Sequence, residues 1–132
     1  MTAKETILSV ENLHVRFRTL DGMVEAVKGI NIAVKAGETV AVVGESGSGK
    51  SQTMMAAMRL LAGNGEATGT IAYRGANLLA LSKNELNEIR GRKITMIFQE
   101  PMTSLDPLYT IGNQLIEPIM RHRKFGREQA HQ

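Results

Sequence analysis

Near the start of the chain, hydrophobic positions recur at the two-residue period of a half-buried strand: Leu13, Val15 and Phe17 alternate with His14 and Arg16. Similar short runs at residues 7–10, 24–27 and 30–34 are separated by polar or glycine-containing turns such as Leu20-Asp21-Gly22, which predicts a β-rich, antiparallel opening. After the turn Lys35-Ala36-Gly37-Glu38 the pattern changes. The run Thr39-Val40-Ala41-Val42-Val43 has no charge and is rich in β-branched residues, so it predicts a strand buried on both faces, as in a parallel sheet. Residues 50–62 predict a helix, because Met54, Met58 and Leu61 fall at i, i+4 and i+7 and Gly63-Asn64-Gly65 can end it. The methionine stripe reads as core packing, not as a cofactor site.

Further on, the pattern predicts a short strand at 70–73, a turn at Gly75, and a helix opened by Ser82-Lys83-Asn84-Glu85 at capping-box spacing. A second buried-type strand follows at 94–98. Pro101 and Pro107 bracket a turn-rich loop, and Thr110 can cap a helix whose Ile111, Leu115 and Ile119 share one face. The last residues, from Arg127 to Gln132, are good helix formers with no stop signal, so the chain is expected to be cut short.

Composition narrows this picture in three ways. At 132 residues the chain suits one domain, expected to be incomplete, and 42% hydrophobic content is enough for a core. The absence of cysteine excludes disulfides, zinc–thiolate sites and thiol catalysis. No stretch has signal-peptide character or the ~20 apolar residues of a membrane span, so any membrane role is expected to come through a partner. The net charge of +3 lies in the tail, where Arg121, Arg123, Lys124 and Arg127 stand against Glu128. A short basic run of this kind reads as a solvated helix face, and no nucleic-acid binding is expected.

The chemistry concentrates in Gly44-Glu45-Ser46-Gly47-Ser48-Gly49-Lys50-Ser51, which fits G-x-x-x-x-G-K-[ST] between a predicted strand and a predicted helix. Glycines at 44, 47 and 49 let the backbone turn tightly and approach phosphate oxygens without a Cβ in the way, so that N–H groups form an anion nest. The helix beginning at Lys50 adds its positive dipole end. Lys50 is placed to reach the β- and γ-phosphates of ATP, and the Ser51 hydroxyl to ligate Mg²⁺.

A second feature is the predicted strand Ile94-Thr95-Met96-Ile97-Phe98, which ends in Gln99-Glu100-Pro101. Groups just past the C-terminal end of a parallel strand fall at the ligand crevice. Position alone leaves three roles open: an amide that ligates Mg²⁺ or holds water, Glu100 as a general base, or simple capping of the strand.

The phosphate loop followed by Gln52-Thr53, together with Met96-Ile97-Phe98-Gln99-Glu100-Pro101-Met102-Thr103-Ser104-Leu105-Asp106-Pro107, resembles the ATP-binding subunits of di- and oligopeptide ABC importers, a group that also serves glutathione and nickel. The resemblance runs through essentially the whole chain. It implies an α/β P-loop NTPase fold of the ABC nucleotide-binding type, with an antiparallel β-subdomain and a parallel-sheet core: residues 1–100 would form the front of the core and 101–132 the start of a helical subdomain. Gln99 looks like the glutamine that touches the metal and the attacking water, where the transmembrane subunit docks. Phe17 matches the aromatic that stacks on adenine, with a plain core aromatic as the other reading. Glu45, Ser46, Ser48 and Gln52 join the three glycines, Lys50 and Ser51 as nucleotide contacts. Asp106 stands where relatives commonly have Asn.

By the same resemblance the implied partners are transmembrane permease subunits, a second ATP-binding domain and, indirectly, a solute-binding protein. The implied location is cytoplasmic, on the inner face of the cell membrane. Import would be driven by ATP hydrolysis in the complete protein. An LSGGQ-like signature, a strand ending in Asp-Glu and a switch histidine do not occur in the sequence, and His14, His122 and His131 lie in no matching context. Inactivity of the chain alone is therefore expected. The alternatives are a nucleotide-binding module without turnover and a small P-loop kinase or NTPase with Glu100 as its base.

Overall fold

The computed structural model describes residues 3–132, divided into a unit that runs to Leu81 and a second from Ser82 to Gln132. In the first unit, β1 (Thr6–Thr19) and β2 (Gly22–Lys35) form a long antiparallel hairpin that closes at Leu20-Asp21. Gly22 takes φ 124 at the turn, and the Thr19 hydroxyl donates to its carbonyl at 2.8 Å. β3 (Gly65–Tyr73) pairs with the other edge of β1, and the two-residue β4 (Ala76–Asn77) pairs with β3. The sheet order is β2-β1-β3-β4.

The runs at 7–10 and 13–17, expected as separate strands, belong to one strand with a bulge. Val10, Leu13 and Val15 are all buried, so the two-residue period slips by one between Val10 and Leu13. The register against both neighbours shifts at the same place, with Asn12 at φ 48. The Asn31 side chain takes up the Asn12 N–H at 2.9 Å. Gly69 accommodates the bulge from β3, since a Cβ there would collide with the Asn12 carbonyl. A bulge likewise joins 24–27 and 30–34 into β2.

α1 (Lys50–Ala57) begins where the sequence places it but ends earlier. Arg59, at φ 50, donates its N–H to Ala56 O, and Leu60 donates to Met55 O; this pair of bonds closes a helix without glycine. Shortening changes which face is buried. Thr53, Ala56, Ala57 and Met58 enter the core, whereas Met54 is exposed, so the expected methionine stripe contributes only Met58. The other buried apolar side chains of this unit are Val10, Leu13, Val15, Val27, Ile71 and Leu78.

Residues 39–43 lie in no sheet and are exposed, with Val43 at 91%. Residues 95–98 are likewise outside any strand, and Ile94 makes only a single bridge to Arg90. Both segments were expected as buried parallel strands. Such a strand is stable only with hydrogen-bonding neighbours and covering layers, and among the described residues these segments have neither.

In the second unit, α2 (Lys83–Ile89) has the full capping box. Ser82 Oγ accepts from Glu85 N, and Glu85 Oε2 accepts from Ser82 N at 2.8 Å. A 3₁₀ turn spans Pro101–Thr103; α3 (Ile111–Arg123), capped by the Thr110 side chain, and α4 (Arg127–His131) follow. The predicted apolar stripe of α3 is exposed at Ile111, Leu115 and Ile119, and Ile116 is the buried position.

Candidate functional site

The loop of residues 44–49 leads into α1 with Gly49 as its N-cap, in the left-handed region at φ 94. No side chain caps this helix, so its first-turn N–H groups are left to donate to an anion that faces the loop. Two glycines have steric reasons to be there. A Cβ on Gly49 would stand 2.6 Å from the Ala26 carbonyl oxygen of β2, and one on Gly44 would stand 2.6 Å from Ser48 Oγ. Gly47 needs its freedom for φ 80 alone, since its surroundings are open.

Lys50 folds over the loop. Its Nζ donates to Gly44 O and Glu45 O, each at 2.6 Å, and to Ser48 Oγ at 3.2 Å. The ammonium is thereby held at the mouth of the nest, where an anion's oxygens can exchange for these acceptors. The buried Thr53 stitches the loop to the helix, because both its N–H and its hydroxyl donate to Gly49 O, at 3.0 and 2.9 Å. Ser51 is exposed on the first turn and Gln52 is half-buried beside it.

The loop borders a cleft of about 650 Å³, within the range of small-molecule sites. Its other wall is the outer part of β2, including Val24, Glu25, Val27 and Lys28. A larger hollow, of about 750 Å³, lies in the second unit beside α3, but it has no anion nest or phosphate-binding lysine. Chemistry, not volume, makes the loop cleft the candidate.

Sequence reasoning missed Glu25, whose alternating-strand position gives no sign of its surroundings. Its Oε1 accepts from His14 Nδ1 at 2.8 Å and from Arg16 at 3.3–3.4 Å. The His14 hydrogen bond holds this carboxyl below its ordinary value; partial desolvation opposes it, and Arg16 adds to the lowering. On the cleft wall, then, the Glu25 carboxylate is not a free charge but one paired with the Arg16 guanidinium. Thr53 was also missed as a site residue; nothing in the motif marks it.

Phe17 lies on β1 opposite Val24, which lines the cleft. Its own ring packs over Gly65 of β3, where an added Cβ would stand 2.6 Å from Phe17 Cε1. Glu45, Ser46, Gly47, Ser48, Lys50 and Ser51 are thus gathered in the first unit. Gln99 belongs to the second unit, exposed in the segment before the 3₁₀ turn, and Glu100 caps that turn. Downstream, Asp106 Oδ1 accepts from Leu108 N at 2.8 Å, a contact that an asparagine oxygen would make equally well. Gln114 of α3 accepts from Asp106 N at 2.8 Å and donates to Asp106 O and Tyr109 O at 2.7 and 2.9 Å.

Residues 27–132 match the family model described as ABC transporter. This chain belongs to the ABC transporter family. With that membership comes a P-loop NTPase fold and an ATP-binding domain. Similar proteins include the oligopeptide transport ATP-binding protein OppD of Haemophilus influenzae, 51% identical over 94% of this chain and 38% of its own length. OppD of Escherichia coli is 48% identical over 96% and 37%, and the dipeptide transport ATP-binding protein DppD of Lactococcus lactis 49% identical over 92% and 35%. The chain thus spans little more than a third of the length of these ABC transporter relatives. No helix among its described residues is long and apolar enough to cross a membrane.

Proposed function

We propose that this chain binds ATP with Mg²⁺ at residues 44–52 and serves an ABC importer that couples ATP hydrolysis to uptake of peptides or similar small solutes. Lys50 carries the reading: it begins a helix, follows a glycine-bound nest, and holds its ammonium over that nest. The loop N–H groups and Lys50 would hold the β- and γ-phosphates, Ser51 and Gln99 the metal, and Phe17 the adenine. The names of the relatives support peptides as the transported class.

Mg²⁺ suits the donors present. Among the described residues no group of three or more His, Asp or Glu could hold a metal, whereas Ser51 offers one hard oxygen beside the phosphate nest. Mg²⁺ is commonly held in this way, by few protein oxygens plus the phosphates of its nucleotide. When bound it would neutralise phosphate charge. Lys50 would supply a second cation, and the nest would orient the oxygens and exclude some of their water.

For the fold, the reading extends to an antiparallel subdomain joined to a parallel core over 1–100, with a helical subdomain starting at 101. The chain would work at the inner face of the cell membrane with permease subunits and a second ATP-binding domain, and indirectly with a solute-binding protein. Titration with a fluorescent ATP analogue tests the binding. Lys50→Ala is expected to weaken it by at least ~1.5–3 kcal/mol, the worth of a charge-assisted contact; equal affinity in the two proteins would refute the site. Phosphate release by the 132-residue chain is expected to match the Lys50→Ala control, because the signature, Asp-Glu and switch-histidine segments are absent from its sequence.

A further inference from the structure

We infer that the second unit carries a basic docking surface for an anionic lipid bilayer, formed where Arg90-Gly91-Arg92-Lys93 meets Arg121-His122-Arg123-Lys124 at the end of α3. The proposed importer function attaches the chain to a membrane through permease subunits; this surface meets the lipid itself and does not depend on the nucleotide site.

Two residues bring the tetrads together. Gly91 sits at φ 74, and a Cβ on it would stand 2.7 Å from His122 Nε2, so the imidazole packs directly on the glycine backbone. Exposed Arg92 and Lys93 stand on one side of this contact and exposed Arg121, Arg123 and Lys124 on the other, while Arg90 is half-buried and donates to Asn87. These eight positions hold six of the chain's 16 lysines and arginines. Acidic neighbours offset only part of that charge: Glu88 reaches Arg92 at 3.8 Å, and Glu117 precedes Arg121 by one helical turn. Arg92, Lys93, Arg121, Arg123 and Lys124 are all exposed.

The helix dipole accounts for cations in the last turn of α3. It does not account for a second set brought against them from the turn after α2. Charge alone would suit RNA as well as lipid, but the side chains between and beside the cations decide for lipid. Ile119, Met120 and Phe125 are exposed at 37%, 36% and 46%. A phosphodiester backbone offers nothing to Ile119 or Met120. A bilayer takes cations at the headgroups and apolar side chains at the acyl boundary, so both kinds of residue are used.

The test is co-sedimentation of the 132-residue chain with phosphatidylserine–phosphatidylcholine vesicles and with pure phosphatidylcholine vesicles. Binding is expected only to the anionic vesicles and is expected to fall with added salt. Each cation removed should weaken it roughly fivefold, so the double variant K93Q/R123Q should bind about 25-fold more weakly. Both side chains are exposed, so these changes leave the packing alone. Gly91→Ala keeps the charge but displaces His122, and it is expected to weaken binding severalfold. Equal sedimentation with both vesicle types, or wild-type binding by K93Q/R123Q, would overturn the inference. Wild-type binding by Gly91→Ala would overturn the joint surface, and tighter binding to duplex RNA than to anionic vesicles would assign it to nucleic acid instead.

Discussion

Replacing Gly49 by alanine separates two costs that the phosphate loop imposes. The residue sits at φ 94, outside the region that a Cβ tolerates, and left-handed backbone of this kind costs about 1–2 kcal/mol for a residue other than glycine. The added Cβ would also meet the Ala26 carbonyl oxygen at 2.6 Å and Val27 Cγ2 at 3.2 Å. Backbone oxygen cannot swing aside as a side chain can, so the loop must move off β2. Forced overpacking adds about 1–3 kcal/mol. Gly47→Ala is the control, because Gly47 is at φ 80 with open space around it. It should bear only the conformational cost, while Gly49→Ala should lose about 2–5 kcal/mol in all. The entropy that alanine removes from the unfolded chain is common to both and cancels in the comparison. Thermal melts followed by circular dichroism would read the gap as a Tm difference on the order of 4 °C per kcal/mol. If Gly49→Ala loses no more stability than Gly47→Ala, the loop does not rest on β2 as described.

Thr53→Val keeps the shape of a buried side chain but removes the hydroxyl bond to Gly49 O; it should cost about 0.5–1.5 kcal/mol in urea unfolding and slacken the loop enough to weaken nucleotide binding. Ser82→Ala should cost about 1 kcal/mol by removing the α2 cap, with Ser82→Asp restoring most of it in the same assay. Glu25 and Glu85 both have folded-state pKa values below the ordinary 4.5, held there by His14 and Ser82 respectively. Each therefore adds stability that is complete above about pH 4.5 and is lost as pH falls through the lowered folded value. Acid melts of Glu25→Gln and Glu85→Gln should show a shallower loss of stability in that window than the unaltered chain, and identical slopes would contradict the assigned contacts.

The sequence was most informative where local chemistry is self-sufficient. The Ser82–Glu85 box, the Thr110 cap and the start of α1 at Lys50 depend on neighbours a few residues away, and all three stand in the structure. The hairpin turn at Leu20-Asp21 was equally readable. Where an outcome depends on distant groups, pattern was a poorer guide. The bulge at Asn12 needs Asn31 and Gly69 from two other strands, so β1 read as two strands. The end of α1 rests on Arg59 in a left-handed turn that composition does not advertise. Residues 39–43 have the composition of a buried strand, but composition supplies no partner, and they lie exposed. Within the site, the motif made the loop legible. The His14–Glu25–Arg16 cluster was not, because strand pairing alone brings those residues together.

The amide of Gln114 has a mechanical consequence. One side chain on the first turn of α3 accepts from the N–H of Asp106 and donates both its protons to the carbonyls of Asp106 and Tyr109. Its backbone N–H is tied in turn to Thr110 O. The stretch from 106 to 109 is therefore splinted to the helix axis and cannot slide along it without breaking several bonds at once. A force applied at Leu108, whose side chain is 86% exposed, would be delivered to α3 as a torque, with little taken up as slack in the loop. At the far end the helix is held as well, by His122 against Gly91 and by Arg127, which donates back to Asn113 at 2.6 Å. In this unit the loop is the handle and the helix is a lever arm braced at its other end.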